Sequence, residues 1–203
     1  MASAGYDHNV FINCPFDRSY KKIFDAAVFA VFDCGFVARS ALEITHTAEV
    51  RFTKIARIID ECRFGYHDIS RTQLSGPSRL PRFNMPFELG LCLGIARNVG
   101  DKNCVVVDRE QYRYQQFLSD IAGQDIKAHN NDPQMVVGVI RDWLRSSPTG
   151  GSIPGPAHLW GRYRRFKKRL PLICGDLRIT PSELTFNDYA TVVSEWIKKD
   201  PDF

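Results

Sequence analysis

Asn9-Val10-Phe11-Ile12-Asn13-Cys14-Pro15-Phe16-Asp17 reads as a short buried strand that opens directly into a turn. From residue 19 to 32 apolar side chains then recur at helical spacing: Ile23, Ala26, Ala27, Ala30 and Val31. Gly35 closes that helix, and Phe36-Val37-Ala38 reads as a second strand. Strand, tight turn, helix and strand is the repeating unit of a parallel sheet.

The unit recurs along the chain. Residues 49–62 form an amphipathic helix with Phe52, Ile55, Ala56, Ile59 and Cys62 on one face. Residues 64–70 make a third strand, followed by a loop rich in Arg, Ser, Gly and Pro over residues 71–82. A helix containing Glu88 comes next, then a fourth strand at 103–107, a helix at 110–121 and a short fifth strand at 126–128. Residues 133–146 form a helix whose apolar face carries Val136, Val139, Ile140 and Trp143. This order predicts an α/β, flavodoxin-like three-layer fold with a five-stranded parallel sheet, plus a C-terminal helical extension. Residues 1–147 form the first domain and 148–156 a turn-rich linker; 157–203 carry a basic helix around 159–170 and a last helix near 181–199. Thr180 and Glu183 stand at capping-box spacing before the last helix. Ligands of such sheets bind beyond the carboxyl ends of the strands.

At 203 residues and 44% apolar content the chain has ample material for a core. No apolar run is long enough to span a membrane, and the first eight residues offer no secretory signal. The six cysteines contain no C-x-x-C pair and mostly sit in apolar segments, so reduced, buried thiols in a cytoplasmic protein are expected, without disulfides or zinc. The net charge of +4 is uneven: residues 162–169 alone supply six positive charges, which leaves about −2 elsewhere. That segment reads as a solvated helix face, and interleaved Tyr163 and Phe166 permit nucleic-acid contact without demanding it.

The segment Arg82-Phe83-Asn84-Met85-Pro86-Phe87-Glu88-Leu89-Gly90-Leu91-Cys92-Leu93-Gly94 places a carboxylate one turn inside an apolar helix. Asn84 is the expected N-cap and Pro86 suits the first turn. Gly90 and Gly94 are expected to leave a bare face for close packing on the sheet, with Phe87, Leu91 and Ile95 as the apolar stripe. Glu88 is then either a favourable helix-start charge or a reactive carboxylate at a pocket mouth. The helix-start effect is worth only about 0.3–1 kcal/mol, which gives little reason to place an acid there.

Other polar residues fall at the same sheet edge. The first loop holds Pro15, Phe16, Asp17 and Tyr20; Asp17 caps the first helix or accepts hydrogen bonds from a ribose. Asp68 and Ser70 end a strand that should be apolar on both faces, which makes them candidate ligand groups. His67 faces the opposite side and reads as structural. Arg71, Arg79 and Arg82 either hold phosphates or flank a solvated loop. Phe83 stacks on a ring or fills the core, whereas Phe87 reads as core. Asp120, Gln124 and His129 line one pocket wall or form a surface turn.

Taken together, Val10-Phe11-Ile12-Asn13-Cys14-Pro15-Phe16, Asp68-Ile69-Ser70 and Asn84-x-x-x-Glu88-x-Gly90 resemble the TIR-like and nucleoside 2-deoxyribosyltransferase-like fold over roughly residues 8–146. The resemblance implies a catalytic role for Glu88, as in TIR-type NAD hydrolases or as the nucleophile of the deoxyribosyltransferases. It implies substrate binding by Asp68 and by Phe16 or Tyr20, with Pro15, Asp17, Ser70, Arg71, Phe83 and Asn84 placing the nucleotide. NAD is then the substrate, and no metal or further cofactor is implied. A homo-oligomer, an activating partner or cyclic nucleotide, and a setting in bacterial antiphage defence or immune signalling also follow from it. The Trp that many catalytic TIR domains carry shortly before the glutamate is absent, the nearest aromatics being Phe83 and Phe87. The resemblance leaves two alternatives: a nucleoside or nucleotide N-glycosidase or deoxyribosyltransferase, and a non-catalytic module that binds a nucleotide signal or a partner. Cyclisation of ADP-ribose is a variant of the first reading.

Overall fold

The computed structural model describes residues 5–43, 49–72 and 82–200. Its elements are β1 (Asn9–Asn13), α1 (Lys21–Asp33), β2 (Val37–Arg39), α2 (Arg51–Asp60), β3 (Phe64–Asp68), α3 (Asn84–Val99), β4 (Asn103–Asp108), β5 (Lys127–Ala128), α4 (Pro133–Arg145), α5 (Pro156–Asp176) and α6 (Phe186–Lys199). The strands pair in parallel in the order β2-β1-β3-β4-β5. That is the flavodoxin-like order, with β3 in the middle. Among the described residues no helix is long and apolar enough to cross a membrane.

Alternation along the strands sorts side chains between two unequal layers. Val10, Ile12, Phe64, Tyr66, Val105 and Val107 join α1, α4, α5 and α6 in one large core. On the other face Phe11 meets Ile55, Ile58 and Ile59 of α2 and Cys92 of α3, with Cys104 partly buried against them. The helix faces differ from the expected ones in detail. In α2, Ile58 is fully buried while Phe52 is 52% exposed. In α4, Val136, Val137, Ile140 and Leu144 are buried, and Val139 and Trp143 only partly so.

Residues 110–121 do not form the expected helix. They make two 3₁₀ turns, Arg113–Gln116 and Ser119–Ile121. Tyr112 adopts a left-handed φ of 61°, which breaks helical continuity at the outset. Tyr114 and Ile121 instead fold onto Ile69, Leu89 and Val106.

The last two helices pack into the main core, where Leu159, Tyr163, Phe166, Leu170, Val192 and Val193 sit with α1 and α4. The capping box of α6 is Thr185 with Asp188. Thr180 and Glu183 bond to each other in a turn ahead of it, because the helix begins only after Thr185.

The basic segment is not wholly solvated. Arg164, Arg165, Lys168 and Arg169 are exposed, but Arg162 is fully buried. Its Nε donates to Asp33 Oδ1 at 2.8 Å, and Nη1 lies 2.9 Å from Asp200 Oδ2. Helical periodicity dictates this: Arg162 stands between Leu159 and Phe166 on the face that packs on α1. Removing one member of such a pair strands a charge in the interior. Arg162→Met is therefore expected to lower unfolding stability by about 3–5 kcal/mol. In urea titrations, Asp33→Asn should cost a comparable amount and the double variant less than the sum.

Candidate active site

Three of the parallel strands end in a polar residue that is buried. A buried polar group must find partners, and each of these reaches into the loops beyond the sheet. Asn13 ends β1 and donates through Nδ2 to Met85 O at 2.9 Å. Asp108 ends β4 and accepts from Arg113 Nε and Nη2 at 2.9 and 2.6 Å; Arg113 also bonds Ile69 O and Thr72 Oγ1. Asp68 ends β3 and accepts from the Tyr20 hydroxyl and from Ser70 N at 2.8 Å, while His129 Nε2 lies 2.9 Å from Oδ2.

These bonds hold the segment before α1, the exit of β3 and the exit of β5 together under the start of α3. The burial of α3 differs from the expected pattern. Its N-cap is Phe83, with helical backbone angles and no side-chain cap. The chain turns helical one residue early, so Asn84 is already the first helical residue and its side chain faces a cavity instead of capping. Met85, Leu89 and Cys92 are buried, Leu91 and Ile95 partly so, and Phe87 is 60% exposed. Gly90 and Gly94 lie on the outward side, with open space where a Cβ would stand. Glu88 thus falls on the buried face, only 6% exposed.

The carboxylate of Glu88 receives no hydrogen bond from the described residues. Burial pushes it above the ordinary glutamate range, and the positive charge of Arg51 opposes that push without cancelling it. It opens on a cavity of about 510 Å³ lined by Asn13, Cys14, Phe16, Asp17, Arg51, Arg82, Asn84, Met85 and Glu88. That volume is in the range of small-molecule sites. Cavities of about 650 and 630 Å³ lie beside β4 and α4 and between β2 and α6. Their acids are exposed or already paired: Asp142 is largely in solvent and Glu43 is bonded to Arg39. Size alone therefore does not locate the chemistry.

The structure divides the expected site residues. Phe16, Asp17, Asn84 and Glu88 line the cavity. Phe16 is partly exposed, with its ring edge on Phe24 at 5.5 Å between centroids. Asp17 Oδ1 accepts from Tyr20 N at 3.0 Å, and Oδ2 lies 3.3 Å from Arg82 Nη1. Partial burial pushes the Asp17 carboxyl up, but the Ser19 hydroxyl, Arg71 and Arg82 outweigh this and hold it below the ordinary range. Arg71 also donates to Ser19 Oγ at 2.8 Å. Tyr20, Asp68 and Ser70 are fully buried outside the cavity lining. Pro15 lines a smaller neighbouring groove toward Phe186 and Tyr189. Phe83 stands 61% exposed outside both linings. Asp120 and Gln124 are exposed, whereas His129 is buried against Asp68. Arg79 lies outside the described residues.

Asn13, Arg51 and Met85 line the cavity without having been singled out in the sequence. The signal for Asn13 was available, since it ends a buried strand as Asp68 does. Arg51 has none, because its place depends on how α2 docks beside α3.

Two outcomes follow for stability. A carboxyl whose pKa is raised by folding contributes fully below the ordinary glutamate range, and that contribution is lost as pH rises through the raised value. Glu88→Gln should therefore stabilise the fold by roughly 0.5–2 kcal/mol at neutral pH, a gain that shrinks near pH 4. Urea midpoints at the two pH values measure it, and a destabilised variant would refute the burial argument. Asp68→Ala strands Tyr20 and His129 and should cost about 3–5 kcal/mol by the same measurement.

Compared with known proteins, the chain matches no family model and no curated protein, so the reading of its site stands on its own residues and their geometry.

Proposed function

We propose that this chain is a TIR-like enzyme that cleaves the nicotinamide–ribose bond of NAD. The observation that carries the reading is Glu88: a buried carboxylate without a hydrogen-bond donor among the described residues, facing a cavity rimmed by two arginines. Nicotinamide is cationic in NAD and leaves as a neutral base, so its departure needs neither a general acid nor a metal. The ribose C1′ passes through an oxocarbenium-like state, which an ionised Glu88 stabilises in a low-dielectric site. Water then adds at C1′, giving ADP-ribose and a proton.

Arg51 and Arg82 take the pyrophosphate, Asp17 and Asn84 the ribose hydroxyls, and Phe16 stacks on a ring. Pro15, Tyr20, Asp68, Ser70 and Arg71 shape the first loop and its neighbour from behind. Phe83 is given no contact with the substrate. With Phe87 and Phe52, whose rings lie 6.1 Å apart between centroids, it makes an exposed aromatic patch beside the α3 start, which supports self-association.

The test is a nucleotide and deoxynucleoside panel incubated with concentrated wild-type protein and with Glu88→Gln. Wild type should release nicotinamide from NAD, and the variant should be slower by about 10²–10³-fold. Because the ionised carboxylate is the acting form, the rate should fall on the acid side at a pH above the ordinary glutamate range. Arg51→Ala should raise KM more than it lowers kcat. Free base released from a deoxynucleoside with NAD intact would replace the substrate. A Glu88→Gln variant as fast as wild type would end the proposal.

A further inference from the structure

On the α2–α3 face of the sheet, below the cavity, three reactive groups meet. One ring nitrogen of His67 (β3) and the sulfurs of Cys92 (α3) and Cys104 (β4) lie within 4.8 Å of one another. The two sulfurs are 2.9 Å apart. His67 and Cys92 are buried, and Cys104 is half-buried. Gly65 leaves room for them: a Cβ there would stand 2.6 Å from His67 Nε2 and 3.2 Å from Cys104 Sγ. These distances also place Nε2, which has no hydrogen-bond partner, on the sulfur side of the ring.

The hydrogen bonds on the far side of the ring decide between metal and thiol chemistry. Asn13 Nδ2 lies 2.9 Å from Met85 O and 3.0 Å from His67 Nδ1. A carbonyl only accepts, so the amide nitrogen of Asn13 must face it, and its second N–H points at Nδ1. Nδ1 is therefore the acceptor, and Nε2 carries the ring proton. A metal-binding imidazole needs the reverse: a lone pair toward the ion and the other N–H donated to an acceptor. Here an N–H faces two sulfurs, an arrangement that favours a thiolate.

We propose that Cys92 and Cys104 form a reversible disulfide driven by a small hydroperoxide, with His67 as the positioning donor that holds the Cys92 thiolate. A proton shared between the two sulfurs and then, against burial, His67 and Lys102 draw the Cys92 thiol below the ordinary thiol range, while Cys104 is pushed up. The Cys92 thiolate attacks the peroxide, the O–O bond breaks, and a sulfenic acid forms as the alkoxide takes a proton. Cys104 then attacks the Cys92 sulfur, the S–S bond forms, and hydroxide leaves with the Cys104 proton as water. Two thiols and one hydroperoxide give one disulfide, one alcohol and one water; with hydrogen peroxide, two waters. Cys92 is four residues past Glu88 on the same helix face, so the bond ties α3 to β4 one turn from the cavity. The thiol chemistry does not depend on the function proposed above.

The full-length protein is treated with hydrogen peroxide, quenched, denatured, alkylated and weighed. Wild type should lose two of its six alkylatable thiols and yield a Cys92–Cys104 linked peptide, both reversed by dithiothreitol. Cys104→Ser should instead trap Cys92 as a dimedone adduct, and His67→Gln should slow the reaction by at least ~10-fold. If the variants do not fold, the wild-type peptide map alone decides. Six retained thiols would overturn the proposal. So would stoichiometric zinc that blocks oxidation and is released by a chelator.

Discussion

Asp68 is a carboxylate with no exposure at the end of the middle strand, and the site is arranged around its need for partners. An unpaired charge there would cost several kcal/mol. Its partners come from three segments far apart in sequence: Tyr20 before α1, Ser70 after β3 and His129 after β5. Asn13 and Asp108 repeat the device on the neighbouring strands. Desolvated polar strand ends thus act as clamps that fix the loops over the sheet edge. Asp17 and Phe16 belong to one of those clamped loops, which is how they come to face Glu88 across an open space.

Glu88 is the contrasting case. Its neighbours at the strand ends each hold at least one hydrogen bond, whereas it faces a cavity in which the field of Arg51 opposes its burial. A buried acid without a hydrogen bond, beside carboxylates that each hold a donor, is the pattern on which the proposed site is read. Asp68 is held by Tyr20, Ser70 and His129, so in the proposed site its contribution is positional.

The parallel sheet and the order of its elements were readable because period and length carry them: Val10 to Ile12, Tyr66 and Val105 to Val107 are apolar where both faces are covered. Helix faces were less readable where apolar residues exceed the buried area. In α3 an apolar side chain stands at Met85, Phe87, Leu89, Leu91 and Cys92, and composition does not say that Met85, Leu89 and Cys92 turn inward while Phe87 stays out. The bare face at Gly90 and Gly94 read as a packing surface, yet it points outward, because Glu88 and Cys92 share the inward stripe. Arg162 was hidden for the opposite reason. Five neighbouring basic residues suggested solvent, whereas Asp33 and Asp200, distant in sequence, pair with it in the interior. The cavity edge at Arg51 depends on tertiary docking and leaves no local trace.

The two faces of the sheet are not equally fastened. α1 is held by α4, α5 and α6 through a continuous core with the rings of Phe29, Phe166 and Trp196 at its centre. α2 and α3 rest on two smaller clusters, one around Phe11, Ile58 and Ile59 and one that joins Leu89 to Ile69, Val106 and Tyr114. Local opening free energy follows buried apolar contact, so the α2–α3 layer is the part that gives way first. Glu88 and Arg51 lie on that layer, and so does Cys92. A weakly held helix can adjust its start around a ligand that the clamped loops present from the opposite side. A link from that helix to β4 would remove the freedom where the fold supplies the least packing to restrain it.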